Sequence, residues 1–120
     1  GFGRKQAKYR AAMAAYGKAR LEYEQKVLEV FREAADAVAT YRHVREAAAL
    51  KGALCDAARE YVRLAHLQYR AGSINYIDVL DAQRRYFDAQ IGLSNAVRDE
   101  HLALVGLYKA LGGGWQTGAE

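Results

Sequence analysis

Starting at Tyr9 and stepping alternately by four and three residues, the chain reads Tyr9, Met13, Tyr16, Arg20, Tyr23, Val27, Val30, Ala34, Ala37, Tyr41, Val44, Ala48, Lys51, Cys55, Ala58, Val62, Ala65 and Tyr69. Only Arg20 and Lys51 in this series are charged. The alternation has a mean period of 3.5, the repeat of helices packed in coiled coils, and here it never stutters. A single helix over about residues 4–70, rising about 1.5 Å per residue, is roughly 100 Å long. A compact domain has no use for such a rod. The weak point is Lys51-Gly52, because glycine costs about 1 kcal/mol relative to alanine inside a helix and can end it, which would give a three-helix bundle. The repeat keeps its phase across Gly52, so the sequence predicts one continuous helix.

Composition agrees with an all-α chain. The 120 residues are enough for one ordinary domain and contain no proline, the residue most costly to a helix interior. The formal charge is +4, from 18 basic and 14 acidic residues. Read along the chain, this is a mild excess spread over its length, without a block of five or six like charges, and it does not point to nucleic acid or acidic lipid. Cys55 is the only cysteine, which excludes an intrachain disulfide and a cysteine metal cluster. No apolar run approaches the roughly 20 residues of a membrane-spanning helix, and GFGRKQAKYR at the N-terminus has no hydrophobic signal core.

The segment LQYRAGSINYIDVLDAQ, residues 67–83, interrupts the helical pattern with a glycine, a serine and an asparagine. Gly72 suits the positive φ that ends a helix, and Ser73 or Asn75 can cap the next one. With Asn75 as N-cap, Asp78 falls at the third helical position, where an acid completes a capping box and faces the positive helix end. The sequence therefore predicts a tip turn at 71–75 and a second helix over about 76–111. Its expected inner stripe is Val79, Gln83, Tyr86, Gln90, Leu93, Val97, Glu100, Leu104, Leu107 and Leu111. A second stripe, Leu80, Phe87, Ile91, Leu102, Val105 and Tyr108, implies neighbours on two sides, as in a curved wall or large bundle. Gly112-Gly113-Gly114 supplies the expected left-handed stop, followed by Trp115 and a flexible tail, 112–120. The result is a long antiparallel helical hairpin.

Little in this pattern suggests catalysis. His43, His66 and His101 are scattered, no nucleophile–base pair can be assembled, and the GFG and GGG runs lack the strand–loop–helix setting of a phosphate loop. The chain is read as no enzyme and as needing no cofactor or metal. Asp78 and Asp81 share a helix face at i and i+3. One reading makes Asp78 a capping acid and pairs Asp81 with Arg85; the other aims both carboxylates at a pore, where rings of acids select cations once several copies meet around an axis. Tyr69 and Tyr76 flank the turn and either staple it or meet a partner.

The combination YRAGSINYIDVLDAQRRYFDAQ, the terminal LYKALGGGW and the segment YEQKVLEVFREAADAVATY resembles the C-terminal part of the outer-membrane efflux proteins. These are the channel partners of bacterial tripartite pumps. The resemblance implies roughly the last quarter of a subunit that forms homotrimers. Its long helices build an α-barrel tunnel across the periplasm of a Gram-negative bacterium, below a β-barrel in the outer membrane. The first helix would descend from the last barrel strand, with GFGRKQAK near that exit, and the second would climb back to the middle of the tunnel. The partners implied are a periplasmic adaptor and an inner-membrane pump, with no nucleic acid, and this segment itself does not span the membrane. Arg70, Ala71, Gly72 and Ser73 would touch the adaptor, Asp78 and Asp81 would line the pore entrance, and Tyr69 and Tyr76 would pack the gate. A basic residue found in some members two positions after the tip glycine is replaced by Ile74, so a salt-bridge lock there is not expected. The competing expectation is a soluble coiled-coil interaction module whose basic excess binds an acidic partner.

Overall fold

The computed structural model describes residues 1–116, with side chains described as far as Gly112. Two helices account for it: α1, Phe2–Arg70, and α2, Tyr76–Gln116. They lie antiparallel in a hairpin measuring 106 × 20 × 15 Å. Helix α1 runs unbroken through Gly52. The glycine penalty is local, whereas the helix continues to pack on both sides of it: a Cβ built on Gly52 would come 3.9 Å from Leu93 Cδ1.

Cross-helix partners fix the register. Tyr69 meets Tyr76, Arg59 meets Tyr86, and Gly52 faces Leu93, pairs whose numbers each sum to 145. At that sum Gln116, the last residue of α2, stands opposite residue 29, since 145 − 116 = 29. The 69 residues of α1 thus outrun the 41 of α2 by 28, or about 42 Å at 1.5 Å per residue. In α1 the predicted series forms the inner seam from Val27 to Ala65, except that exposed Lys51 yields its place to half-buried Gly52. Before Val27 the same series continues, but Tyr9, Met13, Tyr16 and Tyr23 are exposed because no α2 lies beside them.

The inner stripe of α2 differs from expectation. It consists of Val79, Ala82, Tyr86, Ala89, Leu93, Ala96, Glu100, Ala103, Leu107 and Ala110, all buried or half-buried. Gln83, Gln90, Val97 and Leu111 are exposed, and of the alternative positions only Leu104 is half-buried. From each shared residue, stepping first by three or first by four preserves the same period, so periodicity alone does not choose between them. Packing does: α1 presents Ala34, Ala37, Ala48, Gly52, Ala58 and Ala65, and small residues facing small residues allow the backbones to approach closely. The larger side chains Leu80, Phe87, Ile91, Leu102, Val105 and Tyr108 are left exposed on the flanks.

Two further expectations are corrected. Helix α2 continues to Gln116 instead of stopping at Leu111, and Gly112 takes no positive φ. Glycine permits a left-handed stop without requiring one, and a stop needs following residues that fold back on the helix. Residues 117–120 of the expected tail lie outside the described residues. The charge excess is also not spread along the molecule. Residues 1–21 hold six of the 18 basic residues and none of the 14 acidic ones, while residues 22–120 hold 12 basic and 14 acidic.

The hairpin is not self-sufficient. Its accessible surface is 9806 Å², against roughly 6,450 Å² for a compact monomer of 13.3 kDa. Its radius of gyration is 28.8 Å, about twice the roughly 14 Å of a compact 120-residue domain. Among the described residues the one cluster of buried side chains lies at the tip, where Ala65, Val79 and Ala82 are buried and Val62 and Ile74 pack against them; farther along the seam only Ala48 and Cys55 are buried.

Candidate functional site: the hairpin tip

The tip is built by two capping arrangements in succession. Helix α1 ends in a Schellman motif: Ser73 N–H donates to Gln68 O at 2.8 Å and Gly72 N–H to Tyr69 O at 3.0 Å. The motif needs a left-handed residue at its turn, and Gly72 supplies φ +80, the only positive φ among the described residues. Arg70 is the basic residue of the last turn, where the carbonyl ends favour a cation. Ile74 turns inward onto the Ala65/Val79/Ala82 core. Ile74 thus serves as an apolar anchor of the tip.

Asn75 opens α2. Its backbone N–H donates to Asp78 Oδ2 at 3.3 Å, the acid-to-cap half of a capping box, and Asp78 N–H donates to Asn75 O at 3.0 Å. Of the two caps the sequence allowed, the geometry uses Asn75. Across the turn the Tyr69 and Tyr76 rings meet at 5.2 Å between centroids, tilted by 58°, so the two tyrosines staple the tip to itself while each keeps an exposed edge.

Asp81 is more heavily engaged than its spacing suggested. Arg85 Nε donates to its Oδ2 at 2.9 Å, as the i+4 spacing implies, and Arg84 Nη2 donates to its Oδ1 at 3.0 Å. Arg84 also reaches Asp88 Oδ2 at 3.3 Å. The hydrogen bond from Arg84, with the nearby charge of Arg85, holds the Asp81 carboxyl below the usual aspartate value. The i, i+3 partner Arg84 was readable from YIDVLDAQRR, but the i+4 rule favoured Arg85. Behind the tip, Arg59 Nε donates to Tyr86 Oη at 3.0 Å and its guanidinium lies 5.8 Å from that ring's centroid, while His66 Nε2 and Gln83 Nε2 approach at 3.4 Å. These cross-helix polar contacts carry no periodic signal, because polar residues on a seam's margin look the same as solvated ones.

Asp78 and Asp81 thus stand within the first two turns of α2, three residues apart, beside the Gly72 turn. Asp81 and Asp88 are paired with Arg84 and Arg85, while Asp78 is engaged by the Asn75 backbone. No helix among the described residues is long and apolar enough to cross a membrane.

Residues 1–113 match the family model described as outer membrane efflux protein. The outer membrane protein OprJ of Pseudomonas aeruginosa is 36% identical over 116 residues, covering 97% of this chain and 24% of that protein. The solvent efflux pump outer membrane protein SrpC of Pseudomonas putida is 40% identical over 95 residues, covering 79% of this chain and 20% of that protein. The antibiotic efflux pump outer membrane protein ArpC of Pseudomonas putida is 38% identical over 99 residues, covering 81% of this chain and 20% of that protein. The chain therefore spans a quarter or less of the length of the curated relatives it matches. No solved structure matches.

Proposed function

Because the chain belongs to the outer membrane efflux protein family, we propose that it forms part of the periplasmic wall of a trimeric export duct. The match across residues 1–113 carries this reading. Hairpins of this shape, standing side by side, would bury the flank residues Leu80, Phe87, Ile91 and Val105 that one hairpin leaves in water. The duct performs no chemistry. It is a passive exit fed by an inner-membrane pump, with the Arg70–Ala71–Gly72–Ser73 turn docking a periplasmic adaptor.

In this reading Asp78 and Asp81 line the entrance and favour cations. Arg84 and Arg85 temper that preference, because both carboxylate oxygens of Asp81 already accept from guanidinium groups. Tyr69 and Tyr76 hold the closed tip. Opening separates the tips of neighbouring hairpins and leaves the Schellman turn of each one intact.

Single-channel conductance of the intact protein in a planar bilayer tests the reading, with divalent cations titrated on the tip side. A cation-preferring channel whose divalent block is lost in Asp78→Asn/Asp81→Asn supports the duct and its acidic mouth. A channel indifferent to both substitutions leaves the duct and returns the two acids to capping and ion pairing. No channel overturns the reading.

A further inference from the structure

Charge divides between the two faces of the hairpin. Two shallow cavities open between the helices on one face. Arg85, Asp88 and Gly92 line the first, with Leu54 of α1 across from them. Asp99, Leu102 and Gly106 line the second, with Thr40 across from them, each fourteen residues from its counterpart. Fourteen residues are four turns at the 3.5-residue period, so both cavities share one face. On the far side of the seam Arg59 meets Tyr86 and His66 meets Gln83. Seven-residue steps along the cavity face reach Glu33 on α1 and Asp78 and Asp81 on α2, and Asp36 stands between Glu33 and Thr40. Against these acids and Asp88 and Asp99 the same face sets Arg85 and Lys109, with Lys51 reaching over the first cavity from the seam. The opposite face holds Arg42, Arg45, Arg59, Arg63 and Arg70, and Asp56 is its one acid among the described residues that α2 covers. Glu33 and Asp36 on one face, and Arg42 and Arg45 on the other, take no ion pair among the described residues. In the register of the hairpin Asp78 stands opposite Leu67, since 145 − 78 = 67, so the six acids span about 50 Å down to the level of Glu33.

A wall one hairpin thick has an inner and an outer face, and a ribbon that separates its charges presents one sign to each. Charges that served solubility alone would scatter over both. We propose that the face bearing Glu33, Asp36, Asp88 and Asp99 lines the duct and the arginine face turns outward, so that cation preference is set along about 50 Å of the passage and not at its mouth alone. The proposal rests on the duct reading above, which sends Asp78 and Asp81 to the entrance; both lie on the face of the other four acids. Walls of low dielectric lined by one sign of charge focus the field and concentrate counter-ions, and repeating the face around an axis turns each acid into a ring. Arg85 and Lys51 weaken that field beside the first cavity, whereas deeper in, at Asp99, Asp36 and Glu33, only Lys109 opposes it. Opening the tip separates Asp78 and Asp81 from their copies and leaves the four deeper acids in place.

The reversal potential of the intact protein in a planar bilayer, under a potassium chloride gradient, tests it. Glu33→Gln/Asp36→Asn/Asp88→Asn/Asp99→Asn, with Asp78 and Asp81 kept, should bring the potassium-to-chloride permeability ratio toward one while divalent block at the mouth survives. Arg42→Gln/Arg45→Gln/Arg63→Gln should leave the ratio as it was. A working channel whose ratio ignores the four acid substitutions would overturn the proposal and leave the duct standing. Absence of any channel would overturn the duct reading, and this proposal with it. Facing has its own readout in single-cysteine additions: a cationic methanethiosulfonate should reduce the current through Asp99→Cys and spare that through Arg45→Cys. Loss of current at Arg45→Cys, or none at Asp99→Cys, would turn the acidic face outward and overturn the proposal.

Discussion

The two ends of α1 carry the same repeat and meet opposite fates. Near the tip, Ala65 is 3% exposed and its α2 partners Val79 and Ala82 are 0% exposed. At the far end Phe2, Tyr9, Tyr16 and Tyr23, each seven residues from the next, are 78%, 68%, 66% and 71% exposed. Local propensity cannot explain the difference, since both stretches are helical and both keep the 3.5-residue period. What differs is the presence of α2. A heptad pattern specifies an interface, and only part of the interface written into α1 is satisfied by this chain.

Side-chain size sharpens the contrast. The satisfied part intersperses alanine and glycine among valines and a single tyrosine of α1, so the helices can approach closely where the small residues face each other. The unsatisfied part uses aromatics, which bury far more area once covered. An account in which the tip half stands alone and the far half waits for neighbours can be broken by substitution. The largest effect is expected from overfilling the tip seam: Ala82→Leu should destabilise the chain by about 1–3 kcal/mol in urea denaturation, because a side chain that is 0% exposed has no room to grow. Gly72→Ala should follow, at about 1–2 kcal/mol, for forcing a Cβ into the left-handed region at φ +80. It would leave the far end untouched.

Gly52→Ala should move stability the other way. A Cβ there meets only Leu93 Cδ1 at 3.9 Å, ordinary contact, and the helix gains about 0.5–1 kcal/mol of propensity. Destabilisation would mean that the seam is tighter than the structure shows. Tyr16→Ala should change the stability of the single chain by less than about 0.5 kcal/mol, because it removes no packing here. The smallest effect concerns Asp81. Its folded pKa lies below the unfolded one, so its ion pairs add stability above the unfolded aspartate value, and that contribution is lost as pH falls through the folded pKa. Carboxyl NMR should find Asp81 titrating low, and Arg84→Gln/Arg85→Gln should return it toward the ordinary value. A low titration that survives the double substitution would assign the shift to another cause.

Most of the architecture was legible because it rests on period and punctuation. The unbroken repeat through Gly52, the glycine that ends α1 and the asparagine–aspartate start of α2 are local rules written in a few residues each. The register of α2 was not legible. Choosing Ala82, Ala89, Ala96, Ala103 and Ala110 over Gln83, Gln90, Val97, Leu104 and Leu111 requires knowing that the facing helix presents alanine and glycine, which is tertiary information. Hydropathy speaks against Gln83 and Gln90 but favours Val97, Leu104 and Leu111 over the alanines, and of these only Leu104 is half-buried. At the tip, the Asp78 cap and the Arg85–Asp81 pair followed from spacing, whereas the second clamp by Arg84 and the Arg59–Tyr86 contact depended on rotamers and on the partner helix.

Amide hydrogen exchange, resolved by residue on the dilute monomeric chain, tests the contrast most directly. Helices without tertiary partners are marginal in water even at this length, so amides of residues 2–24 should exchange at nearly unprotected rates. The slowest amides should lie around Ala48–Ala65 and Val79–Leu93, where the two helices close on each other. Protection in residues 2–24 equal to that around Ala65 would contradict the account, because the far half of α1 would then be stable without any neighbour.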